Sequence, residues 1–349
     1  MPVYRIEHVM RTALAAAAFA ALALALAHPA AARASNAADR PADWWEDDEE
    51  IVPSPQPGLA QDYDPAPALW RLSDADTTIY LMGTVHLLPP GFRWRNPQLD
   101  AVVAEVDELV VETSDGDAPL MMEAVAAKST RLLAQRTPTS QQLAPAARGK
   151  WRSLIEMQGM SFAEVDRLPV MVALMGFGMG SDSGPSSSYE FGVETILEAE
   201  FAATGRPVRS IEDTGRVALS LYRLDDRLIL PELERELIRW DGRNLSAFLG
   251  TGEAMGEAGN WELEHAWARG QLQEAVDLGL DEGKAAAAFN RALLTDRNRR
   301  WAGWLAERLE QPGKVLVAVG AAHFEGRGSV LDMLQTRGLS AERLNSPVP

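Results

Sequence analysis

Leu69 to Ser73 and Thr77 to Val85 alternate apolar and polar side chains on either side of Asp74-Ala75-Asp76. A period of two broken by a short polar turn predicts a β-hairpin. A helical stretch near Asn96 to Val106 leads into a second strand pattern at Glu108 to Glu112. From Pro119 to Gly180 the spacing is helical, with breaks at Thr137-Pro138 and Leu168-Pro169, and Ser181 to Ser188 reads as a polar loop. Glu190 to Thr204 predicts a helix that Gly205-Arg206-Pro207 stops, and Val208 to Ile211 a short strand. Helical spacing resumes from Thr214 to Gln311, ahead of the stop Pro312-Gly313. Val315 to Val319 is continuously apolar, as a strand covered on both faces requires. A helix near Gly328 to Arg337 and an edge strand within Leu339 to Leu344 end the chain. Together these elements predict an α/β (α+β) domain over residues 68–349. Its central mixed sheet is formed from both ends of the chain, and a large helical insertion covers a crevice. The strands ending at His86, Glu112, Ile211 and Val319 are expected to run parallel.

The pattern before residue 68 is different. Arg5 and Arg11 precede an apolar run from Thr12 to Ala27, and Ala32-Arg33-Ala34 is a small-x-small cleavage site. Residues 1–34 therefore read as an export signal, with the mature chain starting at Ser35 and working in the periplasm or secreted. A membrane anchor is the alternative, but about 16 apolar residues fall short of the roughly 20 a spanning helix needs. No membrane span is expected after cleavage. Residues 35–67 are rich in Pro, Ala and acid around Trp44-Trp45-Glu46-Asp47-Asp48-Glu49-Glu50, without an apolar period, and read as a solvated linker. That stretch holds nine acids and one base, so it carries -8 of the net charge of -17. The overall acidity argues against a nucleic-acid partner, because a phosphate backbone needs a basic face. The chain has no cysteine, which removes disulfides, thiolate metal sites and thiol nucleophiles. Any metal must then sit on His, Asp and Glu.

Past residue 34 the histidines are His86, His265 and His323. Two share a setting. Gly83-Thr84-Val85-His86 closes one strand and Gly320-Ala321-Ala322-His323 follows another, so Gly-x-x-His recurs at the carboxyl end of an apolar strand. Glycine there permits a sharp turn and a close ligand approach. A lone histidine beside a strand is more often a hydrogen-bonded structural residue, but the repetition favours a site. His265, between Glu262 and Trp267, reads as an ordinary partly exposed side chain. Glu112 closes the second strand, and Glu212 with Asp213 follows the third. Parallel strands would bring two imidazoles and these carboxylates to one sheet edge, a reasonable ligand set for Mn, Co or Zn. There is no Gly-x-Ser-x-Gly elbow, His-Glu-x-x-His helix or phosphate-binding glycine loop.

Several short segments, taken in order, resemble the TraB/GumN family. They are Leu69-Trp70, Tyr80-Leu81-Met82-Gly83-Thr84-Val85-His86, Val110-Val111-Glu112, Gly192-Val193-Glu194, Gly205-Arg206-Pro207-Val208, Ile211-Glu212, Arg297-Asn298 and Val319-Gly320-Ala321-Ala322-His323. The resemblance spans about Leu69 to Leu344. That family includes the Tiki proteins and is related to erythromycin-esterase-like and ChaN-like folds. It implies a metal-dependent protease in which the two Gly-x-x-His histidines and a glutamate carry activity, here His86, His323 and Glu112. The chain departs from the family pattern in three places. Thr113 and Ser114 stand where an acid usually follows, Glu194 where Asp is common, and Val217 where Gln is frequent.

Residues and resemblance together predict a peptidase-like metal-dependent hydrolase with His86, His323 and Glu112 as metal ligands and Glu112, Glu212 and Arg297 in catalytic roles. Glu212 is expected to orient a neighbour or act as general base. Arg297 is expected to start a helix after Leu294-Thr295-Asp296, where a cation is unfavourable, and to be offset by a salt bridge to an acid such as Glu212 or Glu194, or by holding a carboxylate in the crevice. The alternative is a non-catalytic envelope protein that binds a peptide, haem or another small ligand in the same crevice.

Overall fold

The computed structural model describes residues 58–114, 117, 125, 128–180, 189–243, 248, 261–272, 287, 288 and 290–348. The export signal, the Trp44-Trp45 acidic segment and the Ser181 to Ser188 loop lie outside the described residues. Six strands form one mixed sheet: β1 (Leu69–Ser73), β2 (Thr77–Thr84), β3 (Glu108–Val111), β4 (Val208–Ser210), β5 (Gly313–Gly320) and β6 (Glu342–Arg343). Their order is β4-β3-β5-β2-β1-β6. β2, β5, β3 and β4 run parallel, while β1 pairs antiparallel with both β2 and β6. The expected parallel set is thus present, and β5, from the end of the chain, occupies the middle of the sheet. Its run from Val315 to Val319 is buried throughout, as its unbroken apolar pattern requires.

The helices are α1 (Pro97–Glu105), α2 (Thr139–Gln142), α3 (Pro145–Met157), α4 (Phe162–Val165), α5 (Val170–Gly180), α6 (Val193–Ala203), α7 (Thr214–Tyr222), α8 (Leu230–Arg239), α9 (Glu262–Ala268), α10 (Asp296–Leu309) and α11 (Val330–Thr336). Asn96 caps α1 by accepting the Leu99 amide, and Asp213 caps α7 by accepting that of Arg216. α6 packs on β3 and β4, and α10 on β2 and α11. Two hydrophobic cores result. One joins the sheet to α1, α6, α9, α10 and α11, with Leu81, Val110, Phe201, Trp301 and Val317 buried. The other lies within the helical insertion, where Trp151, Phe177, Leu221 and Leu237 meet.

Two expectations need correction. Residues 58–67, read as the end of a solvated linker, pack against the folded part. Tyr63 is buried, the Ala66 amide donates to the Ala268 carbonyl at 2.7 Å, and Gln61 bonds both backbone groups of Arg93. One aromatic ring that fits a groove outweighs the polar composition around it. His265 is partly exposed, as expected, and also holds this segment, with Nδ1 2.6 Å from the Tyr63 hydroxyl and Nε2 2.7 Å from the Gly58 carbonyl. The helix before Gly205 also starts later than expected, at Val193, after a single turn over Tyr189–Phe191. Among the described residues no helix is long and apolar enough to cross a membrane.

Candidate functional site

The register of the parallel strands brings the two Gly-x-x-His motifs to one level. Thr84 pairs with Gly320, and Val111 pairs with Ala318 on one side and Ser210 on the other. His86, Glu112, Glu212 and His323 therefore all leave the sheet at its carboxyl edge. Gly83 allows the turn after β5 to lie against β2: a Cβ there would meet the Cα of Ala321 at 3.0 Å. Gly320 is the other required glycine. Its missing Cβ would stand 3.0 Å from Glu112 Oε1, 3.6 Å from His86 Nε2 and 3.8 Å from His323 Cδ2. The functional side chains surround the space that this residue leaves open.

Each imidazole is held by its Nδ1. His86 Nδ1 donates to Glu194 Oε1 at 2.8 Å, and the Thr84 hydroxyl donates to the same oxygen. For His323, the Asn298 amide donates through Nδ2 to the Gly328 carbonyl at 2.8 Å, so its Oδ1 accepts from His323 Nδ1 at 2.5 Å. The proton of His323 is thereby placed on Nδ1, and Nε2 presents a lone pair. Both Nε2 atoms face Glu112 Oε1, from 3.9 Å for His86 and 3.8 Å for His323. Trp301 lies against His323, ring centroids 4.1 Å apart, and fixes its plane.

Glu112 is fixed as well: Oε1 accepts the Gly320 amide at 2.9 Å and Oε2 accepts from Arg297. Arg297, only 3% exposed, also donates Nε to Glu212 Oε1 at 2.8 Å and Nη1 to the Leu293 carbonyl at 3.0 Å. Its guanidinium stands 4.8 Å from the Trp301 ring centroid, and the Trp301 indole donates to Glu212 Oε2 at 3.2 Å. Glu212 thus orients Arg297, which orients Glu112. α10 starts at Asp296, as expected, but it has no free end there. A π-helical turn, Arg291–Thr295, runs directly into α10, so Arg297 does not sit at a free helix N-terminus. The offset expected for Arg297 is supplied by Glu112 and Glu212; Glu194 serves His86 instead.

Burial alone would lower the His86 pKa, but the Glu194 carboxylate, its hydrogen bond and Glu112 outweigh it and push the ring up to about 9. The value measures how strongly two carboxylates favour positive charge on that spot. His323 is held well below the ordinary histidine range by burial and the Arg297 charge, so it is neutral. Burial would raise Glu112, yet Arg297 and the imidazoles hold its carboxyl below the usual range. Glu212 is raised, its burial outweighing Arg297.

Among the described residues, no three of His, Asp and Glu yet stand close enough together to hold a metal ion. The two histidine–Glu112 separations, 3.9 and 3.8 Å, exceed only modestly the roughly 3.3 Å between ligands that lie about 2.0–2.1 Å from a shared tetrahedral ion. The donor set fits. Each ring is oriented through Nδ1, the carboxylate is ionised, and the missing Cβ of Gly320 keeps the space clear. The sequence reading placed His86, His323, Glu112, Glu212 and Arg297, and the structure brings all five together. It offered Glu194 only as a partner of Arg297 and assigned no role to Asn298 or Thr84, although Gly192-Val193-Glu194 and Arg297-Asn298 stand out as patterns. Their signal is local. A Cβ on Gly192 would lie 2.2 Å from the His86 carbonyl, and the Val193 amide donates to Val85 at 3.1 Å, so α6 can dock its first turn only on the His86 segment.

Fold and site define a class: a parallel-centred α/β protein whose strand ends supply two oriented imidazoles around an arginine-held glutamate. Within that class, the TraB/PrgY/gumN family model matches residues 68–343, and the chain belongs to that family. No curated protein and no solved structure matches the chain.

Proposed function

We propose that the cluster of His86, His323 and Glu112 is the active site of a metal-dependent hydrolase with peptide-like substrates, working in the periplasm or outside the cell. The observation that carries the reading is the convergence of His86 Nε2 and His323 Nε2 on Glu112 Oε1, beside the backbone of Gly320. A Mn, Co or Zn ion held by His86, His323 and Glu112 would supply Lewis acidity and make water acidic enough to attack at neutral pH. Glu194 and Asn298 keep the imidazole lone pairs aimed at one place. Arg297 keeps Glu112 ionised and holds it in place. Glu212, engaged by Arg297 and Trp301, acts as an orienter in this reading rather than as a base. A metal-free version uses the same residues, with His86, polarised by Glu194, activating water once the ring has lost the proton that it keeps up to about pH 9.

Metal analysis of the purified protein, followed by assay on internally quenched peptides with and without chelator, separates these versions. Loss of turnover is expected in His86→Ala and in His323→Ala. Unchanged turnover in both variants would overturn the hydrolase reading. A second reading, a non-catalytic envelope protein binding a peptide, haem or other small ligand, draws support from one observation: both oxygens of Glu112 are already engaged. It predicts a Soret band on haem titration, or thermal stabilisation by a peptide of about 2.7 kcal/mol at a hundredfold excess over Kd, without turnover.

A further inference from the structure

A cavity of about 400 Å³, the size of a small-ligand site, lies along α9 and shares no lining residue with the His86 cluster. Glu262, Leu263, His265, Ala266 and Arg269 line it, and Ala60 borders it from the segment that Tyr63 anchors. Positions i, i+3, i+4 and i+7 share one face of a helix, which places Glu262, His265, Ala266 and Arg269 together. Trp267 serves the other side of α9, where its indole donates to the Gly83 carbonyl at 2.8 Å.

The two ends of this face carry opposite charges. Arg269 is held in place, its guanidinium 4.2 Å from the centroid of the Tyr63 ring, whose hydroxyl His265 fixes. Yet it makes no hydrogen bond among the described residues, and its ion pair with the exposed Asp62 is 3.7 Å long. With 29% of its side chain exposed, a planar fork faces the cavity with its donors free. At the other end the exposed Glu262 carboxylate has no partner among the described residues. Seven positions of helix set the two about 10 Å apart along the axis. Between them lie Ala266 and Leu263, the latter 38% exposed. Gln271, also on the cavity, donates its amide to the Val348 carbonyl at 3.0 Å, which leaves its own carbonyl to accept. The helix dipole accounts for the signs of the two charges, but not for a guanidinium fixed on an aromatic ring without a hydrogen bond.

A simple anion would meet Glu262 and Asp62 in a chain of net charge -17, and a simple cation would meet Arg269. A zwitterion of matching length meets neither objection. We propose that the α9 cavity binds a short linear peptide of about three residues, which spans ~10 Å when extended. Its free carboxylate pairs with Arg269, its free ammonium with Glu262, and an apolar middle side chain lies over Leu263 and Ala266. This site is separate from the His86 cluster and does not depend on the hydrolase reading.

The test is isothermal titration of the purified protein with the tripeptide Ala-Leu-Ala, its N-acetyl form, its C-terminal amide and the doubly blocked form. Saturable binding of the free tripeptide is expected, and the same affinity in His86→Ala. The C-terminal amide should bind about tenfold more weakly than the free peptide, the loss of one charge-assisted pair, and the N-acetyl form about threefold, since Glu262 is exposed. Arg269→Gln should weaken the free peptide by the same tenfold and the amide no further; Glu262→Gln should do likewise for the N-acetyl form. Equal affinity of the wild type for the free and doubly blocked peptides would overturn the proposal without recourse to any variant. No saturation by about 10 mM tripeptide would also overturn it. Binding lost in His86→Ala but kept in Arg269→Gln would overturn it too, by moving the peptide to the histidine cluster.

Discussion

Arg297 and Gly320 show how much a single position decides. Arg297 reaches Glu112, Glu212 and the Leu293 carbonyl at once, which only a planar guanidinium can do. Arg297→Lys keeps the charge but leaves buried carboxylate oxygens short of donors, so it should lose activity or ligand binding and destabilise by ~2–4 kcal/mol, seen as a lower melting temperature. Arg299→Lys and Arg300→Lys should have little effect, since Arg299 pairs with Asp296 at the surface and Arg300 stays 3.8 Å from Glu212. Equal tolerance at all three positions would place Arg297 outside the working site. Gly320→Ala puts a methyl group among His86, His323 and Glu112. The fold should survive with about 1–3 kcal/mol of strain, while metal content by elemental analysis falls to background. A variant retaining full metal would mean that the ion sits elsewhere. Asn298→Ala frees His323 Nδ1, and metal affinity should drop about 10- to 100-fold by competition with a chelating dye.

Among the elements, the strands were the most legible. Alternation in Thr77 to Val85 and the unbroken apolar run of Val315 to Val319 located β2 and β5 within a residue or two; the unbroken run matched a strand covered on both faces, whereas β2 is buried at nearly every position despite its alternation, because it lies inside the sheet between β1 and β5. The Gly-x-x-His motifs were legible because they repeat. The π-helical turn was not. Arg-Ala-Leu-Leu-Thr is an ordinary helical pentapeptide, and only packing at both ends explains its wider winding. Leu293 is buried in the helical core, whereas Trp301 is buried in the sheet core. The extra residue of the turn lets one continuous helix satisfy both and aims Arg297 between them. Deleting Leu294 should restore α-helical winding and rotate Arg297 by about 100° relative to Leu293. Helical content by circular dichroism should be kept while metal content and activity are lost; retained activity would show that the turn is incidental. The roles of Glu194 and Asn298 escaped the sequence for a related reason. Neither lies at a strand end, and each matters only through the ring nitrogen it touches.

At the scale of the whole molecule, residues 58–67 belong to the fold, which composition had concealed because Pro, Gln and Asp surround the one anchoring ring of Tyr63. A chain starting at residue 68 should melt lower than one starting at residue 58, by the roughly 2–4 kcal/mol that burial of one aromatic ring and its hydrogen bonds contributes. Equal melting temperatures would return the segment to the linker. The sheet has a further consequence, set by its strand order. β5 lies between β2 and β3, so the strand carrying His323 is flanked by partners made more than two hundred residues earlier. While the chain is being synthesised, β1 can pair with β2 and β3 with β4, but nothing joins the two pairs until β5 appears. Gly320, His323 and the centre of the sheet arrive together. Before β5 forms, His86 and Glu112 belong to two strand pairs that nothing holds side by side.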